Sequence, residues 1–273
     1  VIQNLDSLAV CSWSLEPTSC DDLIAKVRQC GLTAVQLHLD PLSDAGWEQT
    51  PQRLRDAGIE VISGMVNCVG EDYASIAAIT RTGGVVPDET WPNTRDAMQQ
   101  AATFAKAMNL SLVTFHAGFI PHDAADPSQA KILDRLRESA SIFADVGSAI
   151  ALETGQEPAE ALQAVLEALD REKVGVNFDP ANMILYGSGD PISALKTLLP
   201  RVRQVHLKDA VASNASGSEW GSEVPVGEGS VDWPGFFATI DTANVNAAIE
   251  REAGEARVDD VRTAVRFVDQ LAA

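Results

Sequence analysis

No apolar run in the chain approaches the roughly 20 residues that a membrane-spanning helix needs, so none of it is expected to cross a bilayer. Basic residues are scarce: 20 Lys and Arg stand against 39 Asp and Glu, a formal net charge of −19. Nucleic acid and anionic lipid are gripped through clustered Lys and Arg, so neither is expected as a partner. The acid excess by itself reads as solubility. Cysteine is represented by Cys11, Cys20, Cys30 and Cys68 alone, without the spacing of a zinc module. They are expected to be reduced packing residues of a cytoplasmic protein. No basic-plus-apolar leader is visible, although a chain that begins at Val1 leaves trimming open. Low-complexity tracts and linkers are absent, so residues 1–273 are expected to form one domain. Also missing is a G-x-G-x-x-G after the first apolar run, which weighs against the doubly wound dinucleotide fold, the runner-up architecture.

What is present is a regular alternation of strand and helix signals. Short apolar runs read as strands at Leu8–Trp13, Thr33–Leu39, Ile59–Gly64, Leu110–His116, Ser148–Glu153, Val174–Asp179, Val202–Lys208 and Val245–Glu250. Between them lie helical stretches at Asp21–Cys30, around Arg53–Ala57, and at Thr94–Met108, Ser128–Val146, Pro158–Leu169, Ile192–Leu199, Trp233–Ile240 and Asp259–Leu271. Residues 65–92 break the rhythm with Gly83-Gly84, Pro87 and Trp91-Pro92, and predict a long loop with at most a helical turn. Ala210–Ser230 is a second, polar and glycine-rich interruption. Eight strand–helix units in a chain of this length predict an α/β fold, a single (β/α)8 TIM barrel.

The strand ends carry the chemistry. Strands five to eight run out at Glu153, Asp179, His206 and Glu250, and the C-terminal mouth of such a barrel is where active sites are built. A single strand-end acid is more often a helix cap or a loop anchor. Three carboxylates and an imidazole on four consecutive strands repel one another unless something positive sits between them, and a divalent cation is the simplest answer. An O, O, N, O donor set suits manganese first, with magnesium, cobalt and zinc as the others.

The segments ALETGQE, VNFDPANMILYG, VHLKD, PVGEG and IEREAG resemble the xylose-isomerase-like barrel superfamily of sugar phosphate isomerases and epimerases, from about Leu8 to the end. In its ketose 3-epimerases, Glu, Asp, His and Glu of the last four strands bind one divalent metal, and the two glutamates exchange protons with the carbon beside the carbonyl. The resemblance therefore implies Glu153, Asp179, His206 and Glu250 as ligands, with Glu153 and Glu250 as the acid–base pair and a carbohydrate as substrate. Asn182 stands where those epimerases usually carry a substrate-contacting histidine, so the identity of the sugar stays open. A dehydratase or lyase acting on a keto-sugar or an inositol-type substrate is the alternative. The superfamily's AP endonucleases use histidine-rich multi-metal clusters, which four histidines and an acidic surface do not favour. A non-catalytic sugar-binding protein and a homo-oligomer also remain open.

Supporting residues divide between two readings each. Glu157 either binds sugar hydroxyls or caps the next helix. Lys208 shares the strand face of His206, where it either meets an enolate or phosphate oxygen or pairs with a site carboxylate. His116 either lines the pocket or lies behind the ligands, and Trp13 and His38 either wall the sugar or pack. Ala210–Ser230 and Thr82–Pro92, with Trp220 and Trp91, are expected to flank the mouth.

Overall fold

The computed structural model describes residues 5–121, 126–241, 243 and 245–272. Eight parallel strands close into a barrel: β1 (Leu5–Cys11), β2 (Ala34–His38), β3 (Glu60–Met65), β4 (Leu112–Phe115), β5 (Ala149–Glu153), β6 (Val174–Phe178), β7 (Val202–Leu207) and β10 (Val245–Ile249). The order round the barrel is β1-β10-β7-β6-β5-β4-β3-β2, so each strand pairs with its chain neighbours and the two ends of the chain meet at β1 and β10. Two further short strands, β8 (Asp209–Val211) and β9 (Ser222–Val224), form an antiparallel hairpin outside it.

The helices are α1 (Cys20–Gln29), α2 (Thr50–Asp56), α3 (Ile76–Thr82), α4 (Trp91–Met108), α5 (Pro127–Ala144), α6 (Ala159–Leu169), α7 (Pro180–Tyr186), α8 (Pro191–Leu198), α9 (Trp233–Ile240) and α10 (Arg257–Ala272). Their starts follow side-chain capping: Asp126, Asp179 and Asp190 each accept a backbone N–H of the first turn and are each followed by proline. Most apolar side chains pack between the sheet and the helices, with Phe115, Phe143, Phe178 and Phe236 among the largest. Inside the barrel the apolar set is small, consisting of Ala9, Cys11, Ala34, Ile62 and Ala248. Polar side chains fill the rest: Gln36 donates to Thr114 at 2.8 Å, Ser63 reaches across to Gln204 at 2.7 Å, and Gln204 donates to Asn177 at 3.3 Å.

Three details differ from the sequence expectation. The first strand ends at Cys11, and Ser12–Leu15 forms a 3₁₀ turn. The serines explain it: Ser12 Oγ accepts from His38 N at 2.9 Å and Ser14 Oγ from Arg251 N at 2.8 Å, which fixes the turn to its neighbours. Residues 65–92 hold the helix α3, capped by the Ser75 hydroxyl. Between Asp179 and α8 lies α7, where a loop is expected from sequence.

The stretch read as a polar loop at Ala210–Ser230 is anchored at both roots by one buried carboxylate. Asp209 Oδ1 accepts from Ala210 N (2.9 Å) and Val231 N (3.2 Å), and its Oδ2 accepts from Gly227 N (2.9 Å), Gly229 N (3.2 Å) and the Trp233 indole (2.9 Å). A Cβ at Gly229 would lie 2.0 Å from Oδ1, so glycine is what admits this approach. Replacing Asp209 by Asn puts an amide among donors and strands part of the set. Asp209→Asn should therefore lower stability by about 2–4 kcal/mol, seen in thermal denaturation as a fall of roughly 5–10 °C in the midpoint.

Candidate metal centre

Glu153 is the last residue of β5, Asp179 follows β6, His206 lies near the end of β7 and Glu250 follows β10. All four are buried, and one ligand-type atom from each lies within 4.8 Å of the others. His206 Nδ1 is 3.5 Å from Glu153 Oε1, 3.6 Å from Asp179 Oδ2 and 3.3 Å from Glu250 Oε2. Its Nε2 lies 2.8 Å from Gln36 Oε1, a contact that turns Nδ1 toward the carboxylates.

Asp179 combines the two roles that its position allowed. Oδ1 accepts from Asn182 N at 2.9 Å and caps α7, while Oδ2 is buried among the ligand atoms with no hydrogen-bond partner. His206 Nδ1 is likewise buried without a hydrogen-bond partner. Two such atoms side by side are costly unless a cation takes them up. The donor set of three carboxylates and one imidazole therefore fits a divalent ion, as the sequence expectation has it.

Each glutamate is held by two neighbours. Glu153 accepts from Asn182 Nδ2 at 2.9 Å and from Asn177 Nδ2 at 3.1 Å. Glu250 accepts from the Trp13 indole at 2.8 Å and from Lys208 Nζ at 2.9 Å. Trp13 is thus neither plain packing nor a free wall, because its N–H orients the Glu250 carboxylate. Lys208 is buried and donates also to Glu252 Oε2 (2.5 Å) and Asn182 Oδ1 (3.2 Å), so among its readings the pairing with site carboxylates is the observed contact. His116 Nε2 lies 3.5 Å from Glu153 Oε1.

Electrostatics follow from this packing. Burial pushes the Asp179 carboxyl up to about 6, with Lys208 and His206 opposing it. Burial acts the same way on Glu250, yet Lys208 and His206 hold its carboxyl well below the ordinary range. For Glu153, burial is likewise outweighed, here by His116 and His206, and its carboxyl is lowered. Burial works against the Lys208 ammonium, but Glu250, Glu252 and Asp179 hold it well above the usual value. Cys11, 3.6 Å from His206 Nε2, is pushed up to about 12 by burial and stays a thiol.

A cavity of about 580 Å³ opens over the cluster, lined by His116, Asn182, Lys208 and Glu250 near the ligands. Further out it is walled by Met65, Tyr73, Leu185, Tyr186 and Trp220, with Glu71, Glu223 and Glu252 at its polar positions. Glu157 does not line it: its Oε1 accepts from Ile120 N at 2.7 Å and ties two strand-end loops together. His38 also stands apart from the lining, paired with Asp40 Oδ2 at 2.9 Å. The loop of residue 220 flanks the mouth, whereas Thr82–Pro92 contributes nothing to the lining, and Trp91 packs with Arg135 5.4 Å over its ring. The wall on that side comes from Gly70, Glu71 and Tyr73.

Sequence reading missed Gln36, Asn177 and Glu252. The first two sit within strands read as apolar, and the only signal was a polar side chain at an inward position of a buried strand. Glu252 lies two residues beyond Glu250 and reaches back to Lys208. Gly155 is a further silent requirement: at φ +145°, its missing Cβ leaves room for Asn182 Cβ, which would otherwise be 2.7 Å away.

A model of the xylose isomerase-like TIM barrel family matches residues 24–271. Among solved structures, the chain is similar to a xylose isomerase domain protein from Planctomyces limnophilus, at 30% identity over 98% of this chain and 97% of that one, TM-score 0.86. It also resembles a probable 3-DHS dehydratase from Bacillus anthracis (17% identity, 96% and 98% covered, TM-score 0.74). A third likeness is to a D-allulose 3-epimerase from Methylomonas sp. solved with D-allulose (17%, 98% and 97%, TM-score 0.71). The last two likenesses speak for the fold alone. A search of curated protein sequences gives no match. With the closed barrel, a match over nearly the whole length and a relative at this identity, the chain belongs to the xylose isomerase-like TIM barrel family.

Proposed function

We propose that the protein is a divalent-metal-dependent sugar isomerase or epimerase that works through an enediolate, with Glu153 and Glu250 as the proton-transfer pair. The observation that carries this reading is the pair of buried atoms without a hydrogen-bond partner, Asp179 Oδ2 and His206 Nδ1, enclosed by the two glutamates. The ion held by Glu153, Asp179, His206 and Glu250 would supply Lewis-acid polarisation of the substrate carbonyl. Manganese is the first candidate, and the same oxygen-rich set admits magnesium, cobalt or zinc.

The chain's own groups do the proton chemistry. In the barrel order β5-β6-β7-β10, Glu153 and Glu250 stand on either side of Asp179 and His206. That arrangement suits removal of a proton from one face of the sugar carbon and its return from the other. Asn177 and Asn182 hold one base, and Trp13 and Lys208 hold the second, so neither carboxylate must reorganise during the reaction. Glu71, Glu223 and Glu252 around the cavity suit a polyhydroxyl substrate better than a nucleic-acid backbone, whose phosphates they repel. The D-allulose 3-epimerase that shares this fold was solved with its sugar, which agrees with the same reading.

Lys208 favours one second reading. Its ammonium, 2.9 Å from Glu250 Oε2, can protonate a leaving hydroxyl β to the carbonyl, which would make the enzyme a dehydratase. Mass spectrometry of a ketose panel in deuterium oxide separates the two. Deuterium gained at the α carbon without loss of water supports the isomerase or epimerase, and loss of water selects the dehydratase. Neither reaction should survive chelation of the metal, and full activity after exhaustive chelation would remove the ion from the reading.

Substitutions separate proton transfer from metal holding. Glu153→Gln and Glu250→Gln should each reduce kcat by about 10²–10⁴-fold even with metal in excess, because an amide accepts no proton at neutral pH. Asp179→Asn should recover part of its activity as metal is raised. Equal rescue of all three variants would leave the glutamates without an acid–base role.

A further inference from the structure

The cavity over the cluster is larger and more aromatic than one sugar ring requires. Its 580 Å³ lies within the range of about 300–1,000 Å³ typical of pockets that enclose drug-sized ligands. Its lining also divides by depth. Helix α7 starts at the ligand Asp179 and runs outward, with Asn182 in its first turn and Leu185 and Tyr186 in its second. Asn182 and Tyr186 are four residues apart, so they share a helix face and stand roughly 6 Å apart along the axis. Asn182 contacts the metal ligand Glu153, whereas Tyr186 lies in an aromatic wall.

That wall is built deliberately by two separate loops. The segment between β8 and β9 is fastened to α7 through Gly221 N donating to Leu185 O at 3.3 Å, and it sets Trp220 edge-on to Tyr186 with centroids 4.7 Å apart. Phe119 packs behind Tyr186 at 5.8 Å. Tyr73, 46% exposed, comes from the loop after β3 and stands 6.4 Å from the His116 ring. The Trp220 indole N–H lies in this wall without a hydrogen-bond partner, although its atom is buried. An aromatic enclosure recognises a ring that has an apolar face. The inner groups already suffice for one sugar: two proton-transfer carboxylates, Asn182, His116 and Lys208 surround the cluster.

We infer that Tyr73, Leu185, Tyr186 and Trp220 form an outer subsite for a second ring, so that the substrate is a carbonyl-bearing sugar linked to a further ring rather than a free monosaccharide. This rests on the sugar-isomerase reading of the inner site and specifies its substrate class. The second ring is either another sugar or a flat aglycone, since both present an apolar face to indole and phenol rings.

Binding to the manganese-loaded protein, read by calorimetry and by tryptophan fluorescence, tests this without turnover. D-fructose is compared with isomaltulose, in which fructose carries a second sugar, and methyl β-D-glucoside with phenyl β-D-glucoside. In at least one pair the two-ring member should bind at least tenfold more tightly; the first pair would identify a second sugar, the second an aryl group. Trp220→Ala, and independently Tyr73→Ala on the other loop, should cut that preference at least fivefold. Equal affinities within both pairs overturn the subsite, as does absence of binding by all four. So does loss of affinity by the same factor for one- and two-ring ligands in both variants. Proton exchange on free ketoses and on isomaltulose, measured separately, judges the inner site, so the two readings fail independently.

Discussion

Three carboxylates buried within 4.8 Å of one another at the mouth of the barrel form the constraint to which the surrounding structure answers. Lys208 lies inside this group at 2.9 Å from Glu250, and two histidines flank Glu153. These cations relieve much of the repulsion, so the charge of the acids alone does not call for a metal. What they do not relieve is local: Asp179 Oδ2 and His206 Nδ1 remain without hydrogen-bond partners, with Lys208 Nζ no nearer to Oδ2 than 4.0 Å, while every other oxygen of these acids accepts a hydrogen bond. The case for an ion rests on those two atoms more than on net charge.

The same constraint reaches down into the barrel. His206 can present Nδ1 upward only because Nε2 is occupied by Gln36, which is itself held by Thr114. Asn177 supports Glu153 and accepts from Gln204, which in turn accepts from Ser63 on the far side. A barrel interior of this kind exchanges apolar packing for connected hydrogen bonds. Such a network is stable when complete and intolerant of a missing member. It links strands β2, β3, β4, β6 and β7 to the orientation of two ligands, so fold and site are not separable here.

Much of this was legible from the chain. Hydrophobic runs of strand length located the eight barrel strands, and the four ligand-type residues stood out because a buried strand has no packing reason to end in an acid. Helix α7 was hidden for an instructive reason. Asp179-Pro180 carries the same capping signal as Asp190-Pro191, which opens α8, but in the sequence the cap and the ligand stand as alternatives for Asp179. One carboxylate has two oxygens, and here each does a different job. Glu157 shows the reverse case: an acid near the site in sequence whose partner, Ile120 N, belongs to another loop and is invisible to local patterns. Gln36 and Asn177 were equally opaque, since their importance lies in contacts across the barrel. Asp209 looked like the tail of a strand motif, although its five donors come from residues as far along as Trp233.

Asp209 also has a bearing on how such a protein can change. Because one carboxylate gathers Ala210 at the start of the excursion and Gly227, Gly229 and Val231 at its end, the intervening stretch is closed off like a handle on a fixed base. Insertions, deletions and substitutions between residues 212 and 221 alter the rim without shifting β7 or α9. Trp220, which lines the cavity from this handle, is therefore open to exchange by natural variation at little expense to folding, whereas Glu153 and Glu250 are locked to the barrel. The rim of the cavity and the acid cluster at its floor thus belong to separately fastened parts of one chain, so the first can change its shape while the second keeps its geometry.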